Sequence, residues 1–425
     1  MNAAIGLSLI VLFALGVPIA VSIALASMIG IQFFSGLPLL VAAQRMFVGI
    51  DSFPLMAIPF FILAGNLMAA GGISDRLVEL AKSMVGAVQG GLAMTCVVTC
   101  MMFASVSGSS VATTFAIGSI LIPAMVEHDY PRPLAASIQA SSAELGVLIP
   151  PSIPLILYGV STDTSIGQLF IAGIGPGLLV GGSLLLFLFL WCKLRGYGLR
   201  DREERQRFTV ALRRAWGAIL MPVIVIGGIY GGIFTPTEAS AVAVVYAVLV
   251  GAVFYRELRP ADFLPILKKS VISTATVMLI ISAAALFSFL INRSGLPVRV
   301  ADWVSAVFDN RYTFLMAVNV MLLVVGMFIE TSAAILVLAP IFTPIAVQYG
   351  IDPVHFGLIV VVNLALGMFT PPLGVNLFAA AAVARLSIDE LIPWLLQFVL
   401  VVIVCLLAIT YVPAITLFFR DTLYF

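Results

Sequence analysis

The chain has 425 residues, of which 62% are hydrophobic and 10% charged, and its mean hydropathy is +1.18. A soluble domain carries about 25% charged residues, so this chain cannot present a wetted surface of ordinary polarity; lipid is its main solvent, and a cytosolic enzyme, a nucleic-acid binder and a disordered protein are excluded. The net charge of +1 leaves no global field to steer a partner.

Apolar runs of about 20 residues, the length that spans a bilayer, or nearly that length, fall at 2–17, 19–35, 53–71, 134–160, 168–192, 216–235, 239–255, 271–291, 354–384 and 391–419. They predict ten crossings. The first reads as a retained span, because no small-residue cleavage site precedes it. Two further stretches, 91–125 and 313–348, are too long for one helix and too short for two full ones with a turn. Each has a polar cluster at its centre: Ser105 to Ser110 (SVSGSS) in the first, Glu330-Thr331-Ser332 in the second. Two half-length helices meeting at a polar tip satisfy both facts, so these stretches predict re-entrant hairpins whose tips are buried in protein or face water.

The basic residues test the orientation. With the N-terminus outside, the inside loops are 72–90, 126–133, 193–215, 256–270 and 385–390, and they hold sixteen of the 21 Lys and Arg. Arg45, Arg293, Arg299, Arg311 and Arg420 fall outside. That asymmetry supports this orientation over its inverse.

The two halves align at an offset of about 220 residues. Pro18-Ile19-Ala20 meets Pro236-Thr237-Glu238, and Leu67 to Leu77 (LMAAGGISDRL) meets Leu290 to Val300 (LINRSGLPVRV), which pairs Arg76 with Arg299. Met102-Phe103 meets Met327-Phe328, and Leu145 to Pro151 (LGVLIPP) meets Leu366 to Pro372 (LGMFTPP). Each half reads as three crossings, a hairpin and two crossings. Five is odd, so the second half is upside down. The expected fold is therefore an all-α polytopic membrane protein with an inverted-topology repeat, about ten transmembrane helices and two re-entrant hairpins. Residues 1–192 form the first repeat, 193–215 a cytoplasmic basic linker and 216–425 the second repeat. Interrupted helices in an inverted repeat are a pattern of secondary transporters, with sites near mid-membrane where the halves meet.

At a hairpin tip the ending helix offers carbonyls to a cation, and the beginning helix offers N–H groups to a carboxylate. Ser107, Gly108, Ser109 and Ser110 add hydroxyls and close backbone approach; Glu330, Thr331 and Ser332 add hydroxyls and a negative charge. Small polar residues also serve close helix packing, but here they occupy equivalent places in two halves. The second interruptions are Ile149-Pro150-Pro151-Ser152 and Thr370-Pro371-Pro372-Leu373-Gly374-Val375-Asn376. Paired prolines remove two donors and free carbonyls, which a Na⁺ can satisfy, with Ser152 and Asn376 adding side-chain oxygens. Oxygen donors suit a hard cation, and no nearby His or Cys points to a transition metal.

Of the other ionisable groups in spans, Glu238 follows Pro236 and is expected to cap a helix, while Glu144 is a proton site, an ion site or a partner for a helix terminus. His128, His355 and Asp163 fall in short loops and receive no role, and Cys96, Cys100, Cys192 and Cys405 lie in apolar runs without metal-site spacing. No phosphate-binding loop, zinc motif or membrane aspartyl pair is present, which speaks against a pump and against an enzyme.

Five motifs together carry a family resemblance: Ala57 to Gly65 (AIPFFILAG), Ala104 to Thr113 (ASVSGSSVAT), Ile149 to Pro154 (IPPSIP), Gly232 to Ala239 (GIFTPTEA) and Met327 to Thr331 (MFIET). Over nearly its whole length the chain resembles the large membrane subunit (M, DctM-type) of tripartite ATP-independent periplasmic (TRAP) transporters. The resemblance implies a multi-pass protein of the bacterial inner membrane with both termini periplasmic, importing organic acids such as C4-dicarboxylates or sialic acid with a Na⁺ gradient and an elevator-type motion. It implies two partners, a periplasmic substrate-binding protein and a small four-helix membrane subunit, the latter expected on a separate chain because no extra helices precede the first span. Carried onto these positions, the Na⁺ ligands are expected from Ser107, Gly108, Ser110 and Pro150 and from Glu330, Ser332, Pro371 and Gly374. Substrate falls to Ser107, Ser109, Ser152, Glu330, Thr331 and Asn376. The alternative is a stand-alone Na⁺/dicarboxylate carrier of similar architecture that needs no binding protein.

Overall fold

A computed structural model describes residues 2–199 and 207–423. Part of the basic linker, with Arg200, Arg202 and Arg205, lies outside the described residues. Among the described residues there is no β-strand, and the helices follow one another with short connections. The first half holds α1 (Asn2–Ala14), α2 (Ile19–Phe34), α3 (Leu40–Ile50), α4 (Ala57–Ala70), α5 (Ile73–Val85), α6 (Gly91–Ser107), α7 (Ser110–Glu127), α8 (Arg132–Ala143), α9 (Leu145–Leu148), α10 (Ile153–Ser161) and α11 (Ile166–Arg195). The second holds α12 (Phe208–Arg214), α13 (Trp216–Tyr230), α14 (Pro236–Val248), α15 (Pro260–Arg293), α16 (Leu296–Val307), α17 (Arg311–Phe328), α18 (Thr331–Gln348), α19 (Pro353–Met368), α20 (Val375–Ala384), α21 (Ile388–Tyr411) and α22 (Ala414–Leu423).

Eight helices among the described residues are long and apolar enough to cross a membrane, and up to ten if two bent pairs each count as one span. One bent pair is α8–α9 with α10, turned by 43° at the Pro150-Pro151 break; the other is α12 with α13. Several boundaries differ from the sequence reading. The first two runs form helices of 13 and 16 residues, about 20 and 24 Å at 1.5 Å per residue. The run 391–419 divides: α21 stops at Tyr411, because Pro413 has no N–H to continue it, and α22 follows as a separate helix. The inside loop 256–270 is mostly helix. Pro260 occupies the first helical position of α15, and the Arg259 N–H donates to Asp262 Oδ2 at 2.9 Å, a helix start well suited to proline. Lys268 and Lys269 therefore ride on a 34-residue helix, about 51 Å long. Loop 72–90 contains α5, whose Ile73, Leu77, Leu80 and Ala81 are buried while Asp75 and Glu79 are not. His355 is buried in the first turn of α19, with its ring nitrogens 2.7 Å from Thr416 Oγ1 and 3.3 Å from the Thr410 carbonyl.

Both hairpin stretches break where expected, α6 and α7 at Gly108-Ser109, α17 and α18 at Ile329-Glu330. Their arms have 17 or 18 residues, or about 26 Å, and so are longer than half a span. The halves share their order of elements. Gly72 before α5 and Gly295 before α16 both adopt left-handed φ. Arg76 Nη1 donates back to the Gly72 carbonyl and Arg299 Nη2 to the Ser294 carbonyl, each at 2.6 Å. Packing between the halves is reciprocal: α7 lies on α20 and α18 on α10, while α4 lies on α14 and α15 on α2. The peptide bonds Pro150–Pro151 and Pro371–Pro372 are cis.

In lipid, helices associate through close packing and interhelical hydrogen bonds. Both appear where α17 meets α19. Asn363 Nδ2 donates to the Asn319 carbonyl and Oδ1 at 3.0 and 2.9 Å, and Asn319 Nδ2 donates to Thr410 Oγ1 of α21 at 3.0 Å. Two turns on in α17 and one turn on in α19, Gly326 and Gly367 meet backbone to backbone; a Cβ on Gly367 would lie 2.4 Å from the Gly326 carbonyl carbon. Gly367→Ala is expected to lower stability by about 1–3 kcal/mol, the range for overpacking, in thermal unfolding of the detergent-solubilised protein. Gly182→Ala on α11, where a Cβ has open space, is the control; equal melting of the two would contradict the contact.

Candidate functional site

The two hairpin tips line one cavity of about 570 Å³. Ser107, Gly108, Ser109 and Ser110 enter it from the first tip, Glu330 and Ser332 from the second, and Met368 sits between. The opposite wall is formed by α4, with Ile62, Gly65, Asn66 and Ala69, and by α15, with Lys269, Ser273 and Val277. These spacings of three and four residues put each set on one helix face.

At the first tip, Gly108 ends α6 with φ +60° and its N–H donates to the Ala104 carbonyl at 3.2 Å. A glycine in the left-handed region at a helix end is the usual stop. Ser109 caps α7, accepting from the Ala112 N–H at 3.4 Å. Ser107 Oγ lies 3.0 Å from Thr113 Oγ1 and 3.4 Å from the Ser109 carbonyl oxygen, and Thr113 Oγ1 lies 2.8 Å from that carbonyl. Three oxygens within hydrogen-bond distance of one another form the donor set a hard cation prefers. The Ile153 N–H beyond the proline break donates to the Gly108 carbonyl at 3.4 Å. The tip is thus tied to the break of its own half.

The second tip repeats that tie with the same sense: the Gly374 N–H, beyond Pro371-Pro372, donates to the Met327 carbonyl at 3.1 Å. Glu330 caps α18. Its Oε2 accepts from the Ser332 and Ala333 N–H groups at 2.9 and 3.2 Å, and its Oε1 accepts from Ser332 Oγ at 2.8 Å. The α18 N-terminus that the sequence offered to a substrate carboxylate is therefore filled by the chain's own carboxylate, a favourable place for negative charge.

The remaining sequence candidates lie behind the cavity wall. Ser152 is fully buried and donates to the Val147 carbonyl at 2.6 Å, across the break. Thr331 is fully buried with its hydroxyl on Met368 Sδ at 2.8 Å. Asn376 Nδ2 donates to the Ala140 carbonyl at 2.9 Å and to Glu144 Oε1 at 2.8 Å, while its Oδ1 accepts from Thr114 Oγ1. Glu144 thus serves α20 of the other half as an acceptor, and its Oε2 is buried without a partner. Pro150, Pro371 and Gly374 do not line the cavity. Glu238 forms a capping box with Thr235, its Oε2 accepting from the Thr235 N–H at 2.8 Å.

Sequence reading passed over Thr113, Asn66, Lys269 and Ser273. Thr113 lies one turn past Ser109, a spacing that places it over the tip; Lys269 and Ser273 share a helical face once α15 is taken to begin at Pro260.

Residues 7–415 match the family described as tripartite ATP-independent periplasmic transporter, DctM component. Over 430 residues, covering 96% of this chain and 96% of the relative, the chain is 41% identical to the C4-dicarboxylate TRAP transporter large permease protein DctM of Rhodobacter capsulatus. It is 46% identical over 406 residues to the isethionate TRAP transporter permease protein DctMQ of Oleidesulfovibrio alaskensis, covering 95% of this chain and 64% of that longer relative, so it spans less than two thirds of that protein. It is 39% identical over 376 residues, 88% of each chain, to the sialic acid TRAP transporter large permease protein SiaM of Vibrio cholerae. Among solved structures, the Alcanivorax borkumensis YdaH transporter, described as having an unusual topology, superposes with a TM-score of 0.66 over 91% of this chain and 90% of that one. At 17% identity, that likeness speaks for the fold alone.

A Cβ on Gly108 would sit 2.9 Å from the Pro151 carbonyl oxygen, in a backbone conformation that L residues disfavour by about 1–2 kcal/mol. Gly108→Ala is expected to destabilise the protein by at least that much in thermal unfolding. Gly6→Ala, on α1 with open space around it, should melt at or above the wild type.

Proposed function

We propose, for a chain that belongs to the DctM-component family of tripartite ATP-independent periplasmic (TRAP) transporters, that it is the permease subunit of a Na⁺-coupled importer of organic acids. It is a multi-pass membrane protein, a transporter subunit and not an enzyme. The observation that carries the reading is the single cavity reached by both hairpin tips, each tied by one backbone hydrogen bond to the broken helix of its own half.

In this reading the oxygens of Ser107, Ser109 and Thr113 take one Na⁺, and the Glu330 carboxylate with Ser332 takes part in a second site. Each ion draws carbonyls and hydroxyls of a tip together and leaves positive charge facing the cavity, where an organic acid completes the set. Binding of ion and acid then reinforce each other, the thermodynamic core of coupling. The two halves form an inverted repeat, and the hairpins with their broken helices move as a unit against the wall of α4 and α15. C4-dicarboxylates, isethionate and sialic acid, named for the relatives, define the panel of acids. The partners are a substrate-binding protein outside a bacterial inner membrane and a small membrane subunit; the DctMQ relative, longer than this chain, supports a large and a small part working together.

Uptake into proteoliposomes holding the chain, the small subunit and the binding protein tests the reading. Ser107→Ala with Thr113→Val should cut Na⁺-driven uptake at least tenfold in a protein that still melts cooperatively, and unchanged uptake would reject the first site. Glu330→Gln should raise the Na⁺ concentration for half-maximal uptake at least tenfold, about 1.4 kcal/mol; an unaltered Na⁺ dependence removes Glu330 from the ion path. Equal uptake by the chain alone would favour a stand-alone carrier.

A further inference from the structure

The wall opposite the tips carries a charge that the ion sites do not use. Lys269, Ser273 and Val277 follow one another at four-residue intervals on α15 and face the cavity. The rotation of α15 is set beside them: Asn66 Nδ2 of α4 donates to Ser270 Oγ at 2.9 Å, and Ser270 Oγ donates to the Ile266 carbonyl at 2.8 Å. Two charged side chains line the cavity, Glu330 and Lys269. Glu330 is engaged with the N-terminus of α18. Lys269 makes no ion pair and no side-chain hydrogen bond with any described residue, and neither does the Ser273 hydroxyl. A lysine near a membrane face ordinarily extends its stem and leaves its charge in the headgroups. Lys268, next in sequence and exposed, is off the cavity and free to do so. Lys269 is exposed as well, but it lines the cavity opposite the serines of the first tip, and its ammonium brings three donors.

Its depth is informative. Lys269 lies 24 residues before Arg293, the end of α15, about 36 Å along the helix. With Arg293 at one boundary of a hydrocarbon core of about 30 Å, Lys269 lies about 6 Å beyond the other, in the headgroup layer, where a charged end of the cavity is tolerated.

We infer that Lys269 is a specificity-determining residue: it takes, with Ser273 beside it, an anionic group of the substrate at the end remote from the hairpin tips. The inference rests on the cavity being the substrate site, as proposed above. One acid group then faces the tips and their ions, a second faces the lysine, and a molecule whose second group is neutral loses a charge-assisted hydrogen bond.

Succinate and succinamate, its half-amide of nearly the same shape, isolate that difference. Binding is measured to the full chain in lipid nanodiscs at saturating Na⁺. The wild type is expected to bind succinate at least tenfold tighter than succinamate. Lys269→Gln should bind the two within threefold of each other, Lys269→Arg should keep the preference, and Lys268→Gln should match the wild type. A Lys269→Gln protein that keeps the full preference overturns the assignment, as does a wild type that binds the two alike or binds neither. Thermal stabilisation by Na⁺ alone, measured on each variant, reports folding and intact ion sites independently of Lys269. If wild-type succinate binding proves independent of Na⁺ while Lys269→Gln still erases the preference, the Na⁺ reading falls and the role of Lys269 stands.

Discussion

A helix that stops inside a bilayer exposes carbonyls and N–H groups in a solvent that satisfies neither. This chain stops helices within apolar stretches four times, at Gly108, Pro150-Pro151, Ile329-Glu330 and Pro371-Pro372. Much of its architecture answers that constraint. Each tip lies against the break of its own half, so that a freed carbonyl at one meets a freed N–H at the other: Gly108 with Ile153, Met327 with Gly374. Side chains meet part of the remaining demand, Ser109 and Glu330 at the helix starts and Ser152 across the first break. What is left over is a small group of oxygens at Ser107, Ser109 and Thr113, with Ser107 and Ser109 at the cavity and Thr113 buried behind them.

The halves depend on each other for the same reason. The second arm of each hairpin packs on the broken helix of the opposite half, α7 on α20 and α18 on α10. Between α8 and α20 the contact is chemical as well: Asn376 reaches both the Ala140 carbonyl and Glu144. Neither half buries its interruptions without the other.

Much of this was legible in the residues, and what was not has physical causes. The hairpins stood out because polar clusters interrupt apolar runs of unusual length, and the breaks because paired prolines admit few alternatives. The capping box of Thr235 and Glu238 follows a known spacing. Lys269 was hidden because a basic residue beside an apolar run reads as loop; the signal that it is helical, Pro260 followed by Asp262, lies nine residues upstream. Thr113 was hidden because a threonine in an apolar helix reads as packing until the tip above it is placed. Asn376 and Ser152 were taken for cavity ligands because they flank the breaks, but a side chain next to a break serves the backbone first, and both are buried with partners in the chain. The division of 391–419 turned on Pro413, whose missing N–H outweighed the continuity of hydropathy around it.

The amide ladder from Asn363 through Asn319 to Thr410, with the Gly326–Gly367 contact beyond it, fastens α17, α19 and α21 to one another. Sliding any one of the three would strand amide groups in hydrocarbon, at a penalty of several kcal/mol per group. The three helices are therefore locked to one another as one unit. Bending is left to its edges, at Asp309-Asn310 before α17 and at Val412-Pro413 after α21, where the chain is already out of helical register. Changes in the length of those two joints should therefore leave the ladder, and the helices it holds, in place.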